Sequence, residues 1–267
     1  MKVQNKAKTA LTIYLVLITL LSLPIYYFAK KSASKDTADL FLSFLMFIPM
    51  ISAFASSLTT KEKIVWGKPR AKYLLIGFLF PWVVFLTYFI ASKFGILTFN
   101  NGISWVSILP NVLFGCVLAI GEEIGWRGYV LPILRSKYNF LISNTLLAII
   151  WLVFHLPVIF LGLYGNDSLP LYQQIIFFSM NIFAFSFIVG ILWEYSRGVW
   201  TATVAHASWN YLLQSVLATT FIATNAWLLG EFGFLPFAGL LIVLIPGLII
   251  YKKYPPKAHN SHQLETK

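Results

Sequence analysis

Leu171–Trp193 reads LYQQIIFFSMNIFAFSFIVGILW, a run with no charged side chain in it. Wound as a helix at ~1.5 Å per residue it reaches about 34 Å. That is enough to cross a bilayer hydrocarbon core of ~30 Å. Seven further stretches have the same character: Leu11–Ala29, Leu40–Leu58, Tyr73–Ala91, Ile103–Ile120, Phe140–Leu163, Trp200–Ile222 and Ala226–Ile250. Only Ala223, Thr224 and Asn225 separate the last two. Pro24, Pro49, Pro81, Pro110, Pro157 and Pro246 fall inside these stretches, a placement membrane helices tolerate as kinks.

Composition agrees. The 267 residues are 58% apolar and 11% charged, with a mean hydropathy of +0.77. A soluble domain carries roughly a quarter charged residues. Lipid removes the need for that charge. The 24 Phe, 13 Tyr and 9 Trp supply material for interfacial belts. The expected fold is therefore an all-α polytopic membrane bundle of about eight transmembrane helices, with the bilayer as its surroundings.

Charge sets the expected orientation. With the N-terminus in the cytoplasm, the inner segments hold Lys2, Lys6, Lys8, then Lys61, Lys63, Lys68, Arg70, Lys72, then Arg135, Lys137, Arg197, and finally Lys252, Lys253, Lys257, Lys267. The outer segments hold only Lys30, Lys31, Lys35 and Lys93. This positive-inside bias places both termini in the cytoplasm. Tyr26, Tyr27 and Phe28 stand where a signal peptide would carry small residues, so the first stretch reads as a span.

The net charge of +11 is spread in short runs between apolar stretches, which fits anionic headgroups and not nucleic acid. Cys116, the single cysteine, lies in an apolar run and reads as packing. No linker or repeat divides residues 1–267, which read as one transmembrane domain. Residues 251–267 form a basic cytoplasmic tail in which His259 and His262 are solvated.

Ionisable residues inside spans each cost roughly 2.5–3.5 kcal/mol near the bilayer centre, so each needs a reason. They are Glu122, Glu123 and Arg127 at the end of the fourth span, His155 in the fifth, His206 in the seventh and Glu231 in the eighth. Glu123 and Arg127 are four apart, at ion-pairing distance on one helix face. Glu122 points about 100° away and is free to face a cavity. His206 and Asn210 share a face by the same spacing. His155 stands just before Leu156-Pro157, where a kink opens room. Glu231 reads as a helix end and receives no function.

A carboxylate and two imidazoles in a dry cavity suffice for hydrolysis. The buried carboxylate acts as base, a histidine shares the proton, and a second histidine with an amide holds the oxyanion. Glu122, His155 and His206 also suffice as zinc ligands. The helical H-E-x-x-H signature is absent, and zinc and metal-free chemistry both stay open. Taken singly, each residue reads as a buried hydrogen-bonding side chain joining helices, and Gly121, Gly125 and Gly128 as close packing.

Together the motifs resemble the CPBP family, which includes type II CAAX prenyl endopeptidases and bacterial proteins of bacteriocin processing and self-immunity. Glu122-Glu123-Ile124-Gly125-Trp126-Arg127 is similar to its E-E-x-x-x-R motif, His155 to the histidine of F-x-x-x-H, and His206-Ala207-Ser208-Trp209-Asn210 to H-x-x-x-N. Trp151 stands where the second motif usually has Phe, a change expected to alter cavity shape more than chemistry. The resemblance covers about residues 103–213; the first ~100 residues match only as spans.

It implies that Glu122 with His155 activates a water, that Arg127 holds Glu123, and that His206 with Asn210 stabilises the oxyanion. The implied activity is CAAX-protease-like hydrolysis of a peptide or membrane-anchored protein in a bacterial plasma membrane. The cut is expected near the cytoplasmic side, where the fourth span ends. The alternatives are a non-catalytic immunity or partner-binding membrane protein and a small proton-coupled transporter.

Overall fold

The computed structural model describes residues 2–100 and 105–256. Ile103, the expected start of the fourth span, and the tail beyond residue 256, with Lys257, His259, His262 and Lys267, lie outside the described residues. The chain is a multi-pass bundle of helices: α1 (Lys2–Lys31), α2 (Lys35–Leu45), α3 (Ile48–Thr60), α4 (Ala71–Leu79), α5 (Trp82–Lys93), α6 (Ile108–Glu123), α7 (Leu131–Arg135), α8 (Phe140–Phe160), α9 (Leu171–Ser196), α10 (Val199–Tyr211), α11 (Ala218–Thr220) and α12 (Phe234–Lys253). One two-residue pairing, β1 (Thr98–Phe99) with β2 (Phe221–Ile222), is antiparallel.

The expected passes are present with different ends, and two are broken. α2 and α3 make one pass interrupted at Met46-Phe47, and α4 and α5 another interrupted at Phe80-Pro81. Pro49, Pro81 and Pro110 lie inside the passes as expected, in the first turn of α3, just ahead of α5 and in the first turn of α6. There a missing N–H leaves no ladder bond unmade. Pro24, Pro157 and Pro246 do lie within helices.

Seven passes are long and apolar enough to cross a membrane: Lys6–Lys31, Lys35–Thr60, Ala71–Lys93, Ile108–Arg135, Phe140–Phe160, Leu171–Ser196 and Phe234–Lys253. The pass that begins with α10 is the eighth, and it falls short of that apolar length. Its position explains why. α10 packs against α4, α6 and α9, and Thr201, Thr203, His206 and Ser208 on it are all buried. A helix enclosed by protein does not have to be soluble in lipid. The outer helices carry the apolar surface instead, with Leu58 72% and Phe114 68% exposed.

The basic loop 61–70 is fixed to the bundle end. Val65 N–H donates to Gly128 O at 2.8 Å, Val199 N–H to Trp66 O at 3.1 Å, and Trp200 Nε1 to Gly67 O at 3.0 Å. Gly67 has φ +62°, and a Cβ there would lie 2.0 Å from Arg197 O, so only glycine fits. Arg135 and Arg197 both pair with Glu194 at this same end. The opposite end carries the turn 32–34, loop 161–170 and segment 221–233.

The fourth pass approaches the break between α2 and α3 at Gly121 and the first turn of α3 at Gly125. A Cβ on Gly121 would come within 2.6 Å of Met46 O, and one on Gly125 within 2.4 Å of Pro49 Cβ. These glycines serve close packing, a small-xxx-small contact of membrane helices.

Candidate active site

The fourth pass does not stop at Glu123. It continues as a π-helical stretch, Ile124–Val130, into α7. The Leu131 N–H reaches back to Trp126 O, and all seven residues of the stretch are buried. A second π-helical stretch, Leu212–Leu217, follows Asn210 closely. Single π turns are rare and collect at functional sites, because the extra residue re-aims neighbouring side chains. The pass therefore runs Ile108–Arg135, and Glu122 and Glu123 stand near its middle, not at its end as expected.

The two glutamates divide as the helix geometry requires. Glu123 is fully buried and turned into the protein. Its Oε1 accepts from Arg127 at 2.9 Å and lies 2.9 Å from His206 Nδ1. Arg127 also donates to Ser186 Oγ at 3.3 Å, and its guanidinium lies 4.5 Å over the Trp151 ring. Glu122 faces the other way. Its Oε2 accepts from the indoles of Trp126 at 3.0 Å and Trp151 at 2.9 Å. With Oε2 doubly occupied, Oε1 is the oxygen left for a ligand.

His155 is positioned from its own helix: Nδ1 lies 2.9 Å from the Trp151 carbonyl. A carbonyl only accepts, so this nitrogen carries the proton and Nε2 presents a lone pair. His206 is set by a neighbour instead, with Nδ1 against Glu123. Trp151 lies between the two rings, its indole 6.1 Å from His155 and 5.4 Å from His206.

Glu122, His155, His206 and Asn210 line a single cavity of about 480 Å³. Glu123 and Arg127 lie behind its wall. All six sequence-derived residues thus gather in one place, four facing the cavity and two bracing it. Among the described residues no three His, Cys, Asp or Glu side chains form a group able to hold a metal ion. Glu122, His155 and His206, the candidate ligands, do not form such a group.

Three features differ from expectation. The cavity runs from Glu122 past Tyr164, Gln214 and Glu231, toward the end opposite the basic loops. The expected cut near the cytoplasmic side rested on the glutamates ending the fourth span, and the helix continues past them. Trp151 is not merely a change of shape, because its N–H holds the candidate base, a bond Phe lacks. Glu231, given no function, is on the cavity wall.

Some of this was available in the sequence. Glu122 and Trp126 are four apart, the same spacing that links Glu123 with Arg127. Ser186 and Glu231 carry no local signal; only the packing of α9 and of the loop after α11 brings them near.

Residues 103–212 match the family model for type II CAAX prenyl endopeptidases of the Rce1-like kind. The CAAX prenyl protease 2 of Methanococcus maripaludis is 30% identical over 123 residues, which cover 44% of this chain and 45% of that protein. The chain thus matches under half the length of that relative. Every motif residue above falls within residues 103–212, the segment similar to the Rce1-like type II CAAX prenyl endopeptidases.

Proposed function

We propose that this protein is an intramembrane endopeptidase that hydrolyses a peptide bond in a membrane-associated peptide or protein. The observation that carries this reading is the shared cavity, which Glu122, His155, His206 and Asn210 all line.

Each residue has a distinct task. A water between Glu122 Oε1 and His155 Nε2 gives up a proton as it attacks the scissile carbonyl, forming a tetrahedral oxyanion. Asn210 Nδ2 and His206 Nε2–H donate to that oxyanion. His206 donates from Nε2 while its Nδ1–H bonds to Glu123, whose carboxylate is the counter-charge for the ring, and Arg127 keeps Glu123 in place. The proton taken from water is then passed to the leaving amine as the carbon–nitrogen bond breaks. The two indoles on Glu122 Oε2 prevent the carboxylate from turning away.

The test uses full-length protein in lipid nanodiscs and a library of membrane-anchored peptides. Glu122→Gln retains an oxygen for the two indoles and removes the base. Cleavage is expected to fall by roughly 10²–10⁴-fold while thermal unfolding is unchanged. Undiminished cleavage by this variant overturns the assignment.

A further inference from the structure

The cavity is acidic in a basic protein. The chain has 20 Lys and Arg against 9 Asp and Glu. Three of those acids, Asp39, Glu122 and Glu231, line the cavity, and among the described residues no Lys or Arg does.

The mechanism leaves two of them unused, the exposed Asp39 and the part-buried Glu231. Glu231 Oε1 accepts from the neutral Gln214 amide at 3.0 Å. Among the described residues no Lys or Arg forms an ion pair with it. Beside it, Asn181 is 3% exposed and also lines the cavity. The Asn181 Nδ2 is spent on three carbonyls, those of Phe177 at 3.0 Å, Glu231 at 3.2 Å and Gly233 at 2.9 Å. Its Oδ1 is then a buried acceptor with no partner. A carboxylate lacking a counter-charge and an acceptor lacking a donor, on one wall, call for a ligand that supplies both.

We propose that this wall is a subsite for a primary ammonium group of the substrate, either a lysine side chain or a free amino terminus. The inference rests on the protease reading and deepens it by naming a substrate class. Glu231 supplies the charge and Asn181 Oδ1 a second acceptor. Tyr164 and Phe178, whose rings meet edge to face at 5.9 Å on the same wall, offer aromatic faces to the cation. Glu231 itself lies in the loop before α12, outside the spans. Burial, with the Glu122 charge adding to it, pushes the Glu231 carboxyl up to about 8. At neutral pH that carboxyl is largely protonated in the empty cavity, and an ammonium ion beside it favours the ionised form.

The test measures binding to the full chain in nanodiscs near neutral pH. Dodecylammonium is expected to bind about tenfold more tightly than dodecanol, the worth of a hydrogen-bonded charge. In Glu231→Gln that ratio falls toward one. An equal preference in the variant, or none in the wild type, overturns the subsite.

A second measurement needs no variant. Three apolar peptides compete for wild-type protein: acetylated with lysine, unacetylated with norleucine, and acetylated with norleucine. Tighter binding of the first assigns a side chain and tighter binding of the second a free terminus; equal binding by all three overturns the proposal. Peptide cleavage without charge preference overturns the subsite and leaves the protease reading. Glu231-dependent ammonium binding without any cleavage leaves the subsite and overturns the protease reading.

Discussion

The indole N–H of Trp151 donates to Oε2 of Glu122 at 2.9 Å, from a helix 29 residues away in the chain. Trp126 donates to the same oxygen at 3.0 Å from one turn along Glu122's own helix. The candidate base is thus held by one local and one distant donor, while Trp151 also carries Arg127 on its face.

This double hold predicts coupling between the two tryptophans. Trp126→Phe and Trp151→Phe each leave one donor on Glu122, and each is expected to lower kcat modestly with KM nearly unchanged. The double variant leaves the oxygen without a donor. Its loss is expected to exceed the sum of the single losses by about 0.5–3 kcal/mol, as residues sharing one partner do. A double-mutant cycle on kcat checks this, and simple additivity refutes it.

Removing Arg127 is expected to cost stability before chemistry. Glu123 and Arg127 are both fully buried and 2.9 Å apart. Arg127→Leu strands the Glu123 carboxylate, a loss of about 3–5 kcal/mol for breaking a buried pair. Arg127→Lys retains a charge but not the planar fork or its stack on Trp151, and falls between the two. Unfolding of purified protein in mixed detergent micelles measures both.

Gly125→Ala is expected to misfold or to push α3 off the fourth pass, since its new methyl group would lie 2.4 Å from Pro49 Cβ. Gly162→Ala, where no atom lies within 4 Å of an added Cβ, meets no such packing clash, although its positive φ of +67° adds local strain. The yield of monodisperse protein and its melting temperature separate the two. An intact Gly125→Ala protein would show that the contact is looser than described.

Glu231 predicts a pH dependence of stability. Its carboxyl is raised from an ordinary 4.5 to about 8 in the folded protein, so the folded state holds the proton more tightly than the unfolded chain. The contribution of this group is then fully present below about 4.5 and is lost as pH rises through about 8. Asp39, Glu122, His155, His206, Tyr164 and Tyr211 line the same cavity. The measurement is therefore a difference: wild-type melting temperature should fall relative to Glu231→Gln between those two pH values. Parallel curves would refute it.

The expected membrane bundle and the motif residues of the site follow from local chemistry. Leu171–Trp193 has to be a span because twenty-three uncharged residues have no other solvent. The Glu123–Arg127 pair is likewise written in a spacing of four, since one helical turn sets both neighbours. α10 was legible only in part: a helix wrapped by protein can hold threonine, serine and histidine, so its hydropathy understates its depth.

Sequence alone determined that the chain crosses a membrane repeatedly and which polar side chains stand inside it. Tertiary structure decided how they are used. The π-helical continuation past Glu123 moved the glutamates to the middle of their pass, because an i→i+5 turn depends on what packs around it. The hydrogen bond from Trp151 to Glu122, the exposure of Glu231 to the cavity and the end toward which that cavity runs all depend on contacts between distant segments. Such contacts are set by how whole helices pack, and no local spacing encodes them.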